Sequence, residues 1–100
     1  MMRLIWTGES LKRLIEIEDF IAENNPVEAE EFIDFLIERT ELLSENPRMG
    51  RIVPEFSSPE IREIIVRNYR IVYRLKESII EILTVFEGHR LIREDEIMND

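Results

Sequence analysis

The chain has 100 residues, 44% of them hydrophobic and 35% charged, with a formal net charge of −9. That size suits one domain able to bury roughly 60 to 70% of its unfolded surface, and the composition excludes both a disordered chain and a membrane span, since no apolar run approaches the ~20 residues a spanning helix needs. Cysteine is absent, which excludes disulfides, thiol catalysis and cysteine-ligated zinc, and with no basic-then-apolar leader at the N-terminus the expected compartment is the cytoplasm.

Taken in order, Arg3 to Trp6 is a short apolar run that should form a first strand, joined to a later sheet at one of its edges. Thr7 is placed to cap the helix that follows, with Glu9 in its first turn where a negative charge meets the positive end of the dipole. Leu11, Leu14, Ile17 and Ile21 recur at spacings of three and four, flanked by Ile15 and Phe20, and predict a broad apolar helix face. Asn24-Asn25-Pro26 breaks this pattern and starts another, because proline disfavours helix at the residue before it yet suits the first helical position, and Asn25 can cap. The second helix should run from Pro26 to about Glu45, with Ala29, Phe32, Ile33, Leu36 and Leu43 facing the core. So short a connection predicts an antiparallel helical hairpin. Phe35, Ile37 and Leu42 fall on its flanks, either as wider core or as the edge of a partner-binding groove.

Asn46-Pro47 ends the helix, and the aperiodic stretch to Glu60 reads as a loop, long enough that a functional role is worth seeking. From Ile61 to Arg90 the chain predicts three consecutive antiparallel strands. Tyr69, Ile71, Tyr73 and Leu75 alternate with Arg70, Val72, Arg74 and Lys76, giving a strand with one dry face and one cationic face. Asn68 before it and Glu77-Ser78 after it suit tight hairpins. Ile64 and Val66 oppose Glu63, Ile65 and Arg67 in the preceding strand. In the following one, Ile80, Ile82 and Phe86 oppose Leu83 and Val85, so this strand should be an inner one. Residues 91–100 are expected to be an acidic tail, a frayed helix or disordered. The whole predicts an α+β domain in which the helical hairpin packs on one face of the sheet and the other face is left open.

Charge is distributed unevenly along this order. Residues 1 to 45 hold 4 basic and 12 acidic side chains, residues 46 to 93 hold 9 and 6, and residues 94 to 100 hold 0 and 4. The sheet half is therefore basic and the rest acidic, either as solvated glutamates on amphipathic helices or as an acidic docking surface. A metal site is not expected, because one histidine and scattered carboxylates give no ligand spacing. No cofactor is expected either, as Gly8, Gly50 and Gly88 stand alone and form no phosphate-binding loop.

The order of elements, with Trp6-Thr7 before the first helix, Asn25-Pro26 between helices, Asn46-Pro47 and Gly50-Arg51 in the loop, Arg62, the strand from Tyr69 to Arg74 and a closing Gly88-His89-Arg90, resembles the RelE/ParE toxins of type II toxin-antitoxin systems, also called plasmid stabilisation proteins. The resemblance covers about residues 3 to 90 and implies one fold with two activities. RelE-like members cut messenger RNA on the ribosome; ParE-like members inhibit DNA gyrase and lack the ribonuclease residues. Fold alone does not separate them.

Attack by a 2′-hydroxyl needs a base, cations for the phosphorane charge and an acid for the leaving oxygen. By resemblance to one ribonuclease branch these would be Glu55, Arg70 and His89, the last being the only histidine and so the side chain expected to titrate near neutrality. Each also has a plainer role, Glu55 as a solvated loop residue, Arg70 and Arg74 in cross-strand ion pairs, and His89 in capping or packing. The tyrosine that follows the histidine in that branch is replaced by Arg90, and the loop from 46 to 60 has no lysine. These departures, together with the overall acidity, favour the ParE-like reading, with the ribonuclease or an inactive binding domain as alternatives. The resemblance further implies a cognate antitoxin whose flexible segment folds over the toxin in a hetero-oligomer. Arg51, Arg62, Arg67, Arg70, Arg74, Lys76 and Arg90 are the cations available to it or to the target.

Overall fold

Two helices lie on one face of a five-stranded mixed sheet in the computed structural model, which describes residues 1–88. The elements are β1 (Arg3–Trp6), α1 (Gly8–Ala22), α2 (Pro26–Glu41), a 3-10 turn (Leu42–Ser44), β2 (Arg51–Ile52), β3 (Ile61–Val66), β4 (Tyr69–Lys76) and β5 (Ile79–Glu87). His89, Arg90 and the expected tail at 91–100 lie outside the described residues.

Both helices start where capping chemistry dictates. The Thr7 side chain accepts from the Ser10 amide at 3.2 Å, and Asn25 accepts from the Glu28 amide at 3.1 Å with Pro26 in the first turn. The second helix is shorter than expected. It stops at Glu41 because the chain tightens into the 3-10 turn, where the Asn46 amide and side chain both donate to the Leu42 carbonyl at 3.2 Å. The buried stripe of α1 is also narrower than its sequence suggests. Ser10, Leu14 and Ile17 are buried, while Leu11, Ile15 and Phe20 are 47%, 58% and 65% exposed.

The sheet order is β1-β5-β4-β3-β2. The expected meander is present, β3 with β4 and β4 with β5, all antiparallel. The N-terminal strand joins it parallel to β5, from Arg3 opposite Ile79 to Trp6 opposite Ile82, which makes β5 an inner strand. A fifth strand, β2, arises inside the segment expected to be loop, pairing Arg51 with Glu63 and Ile52 with Arg62.

One expectation about faces fails at a β-bulge. Tyr73 pairs with Ile82 but Val72 pairs with Thr84, so Leu83 is the extra residue and the alternation slips by one. Val85 therefore joins Ile80 and Ile82 in the core under the helices, and Phe86 turns with Leu83 to the opposite face. The Thr7 hydroxyl and amide both donate to the Ile82 carbonyl, at 2.8 and 3.1 Å, tying the start of α1 to the irregularity.

Each face of the sheet carries its own core. Under the helices, Leu14, Phe32, Leu36, Leu43, Ile71 and Tyr73 belong to the larger one. The opposite face is not open as expected: residues 53–60 fold back as a strap, and Val53 with half-buried Phe56 covers Ile61, Val72, Leu83 and Phe86.

Candidate functional site

The strap is positioned by Tyr73. This side chain points into the helix-side core, is fully buried, and threads its hydroxyl to the loop, donating to the Pro47 carbonyl at 2.8 Å and accepting from the Gly50 amide at 3.0 Å. Burial pushes its hydroxyl pKa up, so it stays a donor. A Cβ at Gly50 would lie 2.5 Å from the Glu63 carbonyl oxygen and 2.6 Å from the Tyr73 hydroxyl, so only glycine allows this approach. The next residue is thereby laid against β3, and Arg51 Nε meets Glu63 Oε2 at 2.6 Å.

Arg70 is the hub of the strap-covered face. Its Nε donates to Glu63 Oε1 at 2.6 Å, and its two terminal nitrogens donate to the two oxygens of Glu55 at 2.9 Å each. Its guanidinium carbon also lies 5.3 Å from the centre of the Phe86 ring. Glu63 has no exposed side-chain surface, and its two oxygens are divided between Arg51 and Arg70. The hydrogen bond to Glu55 is the main reason that the Arg70 pKa is raised further, so the charge is fixed. The result is a chain of alternating charges, Arg51, Glu63, Arg70 and Glu55, running from the sheet edge to the strap.

Of the residues singled out from the sequence, Glu55 and Arg70 are in direct contact and Arg51 reaches them through Glu63. The others stand apart. Arg74 and Lys76 meet Glu81 at 3.0 and 3.3 Å. Arg62 donates to the Gly50 carbonyl at 2.9 Å and the Pro59 carbonyl at 3.1 Å, bracing the ends of the strap. Arg67 sits at the β3–β4 turn with φ 57°, its guanidinium carbon 4.9 Å from the Phe35 ring centre and 5.7 Å from that of Phe32. Sequence reasoning missed Glu63 and Glu81, and treated Tyr73 as packing alone. The available signal was the placement of each glutamate on a cationic strand's neighbour, where opposite charges pair across strands.

A separate surface opens at the hairpin tip. Tyr69 divides two hollows, one of about 510 Å³ against Ile17, Phe20, Phe86 and Arg13, the other of about 580 Å³ against Ile21, Phe32, Phe35 and Arg67. Both are aromatic with a cation at the rim. Among the described residues there is no group of three or more metal-ligating side chains, and no helix long and apolar enough to cross a membrane.

Comparison with known proteins places this geometry. A search of the curated proteins found no significant match. A solved structure described as a chromosomal ParDE TA system from P. aeruginosa superimposes with a TM-score of 0.74 at 23% identity, over 87% of this chain and 96% of that one, a likeness of fold. The family model for the ParE toxin of type II toxin-antitoxin system, parDE, matches residues 4–92. On that match, which spans nearly the whole sequence, the chain belongs to the ParE toxin family of type II toxin-antitoxin systems.

Proposed function

We propose that this chain is a cytoplasmic toxin that inhibits DNA gyrase and is neutralised by a cognate antitoxin. The observation that carries gyrase over messenger RNA cleavage is the engagement of Arg70, all three of whose guanidinium nitrogens donate to Glu55 or Glu63. A catalytic arginine must offer donors to a developing phosphorane, and a loop glutamate acting as base must have a lone pair directed at the 2′-hydroxyl. Here three of the five guanidinium N–H groups are spent on Glu55 and Glu63, and both Glu55 oxygens accept from Arg70 rather than facing a substrate. Family membership supports the same reading, and the aromatic hollows with Arg13 and Arg67 at their rims suit an antitoxin segment that folds as it binds.

The test pairs a gyrase supercoiling assay with in vitro translation and primer extension on the messenger, using one preparation of the full chain. Loss of supercoiling with intact messenger is the expected result. Codon-phased cuts abolished by Arg70→Ala and His89→Ala would overturn it in favour of the ribonuclease, and silence in both assays, with no growth arrest on expression, would leave a binding domain.

A further inference from the structure

The β3 edge is longer than the strand that covers it. Val66 and Tyr69 flank a two-residue turn and form its closing hydrogen-bonded pair, so Arg62, Ile64 and Val66 bond to β4. Ile61, Glu63 and Ile65 then direct their amides and carbonyls the other way, as the bond from the Val53 amide to the Ile61 carbonyl at 3.2 Å bears out. Arg51 covers Glu63, but opposite Ile65 the chain has turned away: the Met49 amide donates to Asn46 and the Gly50 amide to Tyr73. Among the described residues nothing bonds to the edge-facing groups of Ile65, whose surface is 48% exposed.

A hollow of about 270 Å³ lies at this spot, lined by Arg39 from α2, Met49, Arg51, Ile64 and Ile65. Arg39 is exposed and makes no ion pair among the described residues, and Arg51 uses only Nε on Glu63, leaving its terminal nitrogens without a partner among them. In a chain of net charge −9, two cations with donors to spare therefore flank an unpaired strand edge and two apolar side chains. We propose that this edge accepts an extended acidic segment of a partner protein as a strand collinear with β2. Its backbone exchanges hydrogen bonds with Ile65, an apolar side chain rests on Met49 and Ile65, and its carboxylates meet Arg39 and Arg51. A second copy of this chain is the poorer occupant, because a twofold pairing would set these arginines against their own copies. The inference goes beyond the gyrase assignment and stands or falls without it.

The probe is a synthetic octapeptide alternating valine with glutamate, titrated into the isotope-labelled full chain, with a valine-lysine peptide as the control. The expected result is a shift of the Ile65 amide resonance and a slowing of its hydrogen exchange by about tenfold at saturation, with affinity reduced several-fold in Arg39→Gln and by added salt. Arg39 is exposed on α2, so the variant keeps the fold. Equal binding of the lysine peptide, shifts confined to Tyr69 and Phe86, or an Ile65 amide unmoved at millimolar peptide would each overturn the proposal.

Discussion

The two faces of the sheet are closed by different physics. Under the helices the cover is apolar and nondirectional, with Leu36, Leu43, Ile71, Tyr73, Ile80 and Ile82 all fully buried. Under the strap there are five buried apolar residues, a half-buried phenylalanine, and then charge, with Arg70 and Glu63 nearly or wholly removed from solvent. Apolar burial tolerates sliding, whereas Arg70 meets two carboxylates only in one placement of the strap. The helix side therefore supplies most of the cohesion, and the strap side fixes how one loop lies on the sheet.

The largest expected effect tests this division. Arg70→Met removes both bonds to Glu55 of the strap and leaves the buried Glu63 carboxylate with Arg51 alone, and breaking a buried pair in this way costs about 3–5 kcal/mol. That would rival Leu36→Ala on the helix side, a large-to-small change at a residue with no exposure, worth about 2–5 kcal/mol. The two are separated by a second substitution. Arg70→Met with Glu63→Leu should recover most of the loss in urea unfolding, because the stranded charge is gone. If the single variant loses less than about 1 kcal/mol, the network contributes no more than a surface pair and the contrast between faces fails.

Next in size is Gly50→Ala. The three atoms in the way belong to groups that cannot retreat, the β3 backbone and a buried tyrosine whose hydroxyl is held by two hydrogen bonds. Overpacking of this kind costs about 1–3 kcal/mol, and the thermal midpoint should fall accordingly. Hydrogen exchange should also quicken in the strap before it quickens in α2. Uniform quickening would show that strap and helices open as one unit.

The same contrast explains which parts were legible in the sequence. Most of the helix side rests on periodicity and capping: both helices, the Tyr69 to Lys76 strand, Thr7 and Asn25 stand where those rules put them, although α2 ends early at Glu41 and the apolar face of α1 is only partly buried. The strap side rests on pairings between distant residues, which periodicity does not encode. Arg70 lies on the face that alternation marks as wet, yet Glu55 and Glu63 remove it from water. Phe86 reads as core beneath the helices until one extra residue at Leu83 reverses it. The glycine and proline of the loop were visible as punctuation, but their reason is a tyrosine 23 positions away from Gly50.

Thr84 tests the strap-side core in the opposite direction. It is fully buried opposite Val72, and its hydroxyl has no hydrogen-bond partner among the described residues. An unsatisfied buried hydroxyl costs about 1–3 kcal/mol, so Thr84→Val, which keeps the branched shape, should stabilise the protein by about 1 kcal/mol. Destabilisation by the same amount would show that a bound water or a moved strap already satisfies the group.

The smallest effect is expected where strap-side charge reaches solvent. Burial by itself would raise the Glu81 pKa, but hydrogen bonds from Arg74 and then Lys76 outweigh it and hold the carboxyl below its ordinary 4.5. The folded state therefore binds this proton less readily than the unfolded one, and the stabilisation is fully present above about pH 4.5 and lost as pH falls through the lower, folded value. Both partners of the Arg74 pair retain 20 to 25% of their surface, so the contribution should stay within about 1 kcal/mol and shrink in salt. Glu81→Gln should then be less stable than the parent at pH 7 and equal to it in strong acid, measured by urea unfolding at each pH. A gap that persists in acid would mean that Glu81 acts through packing, and that the directional role of charge on this face is confined to the buried chain from Arg51 to Glu55.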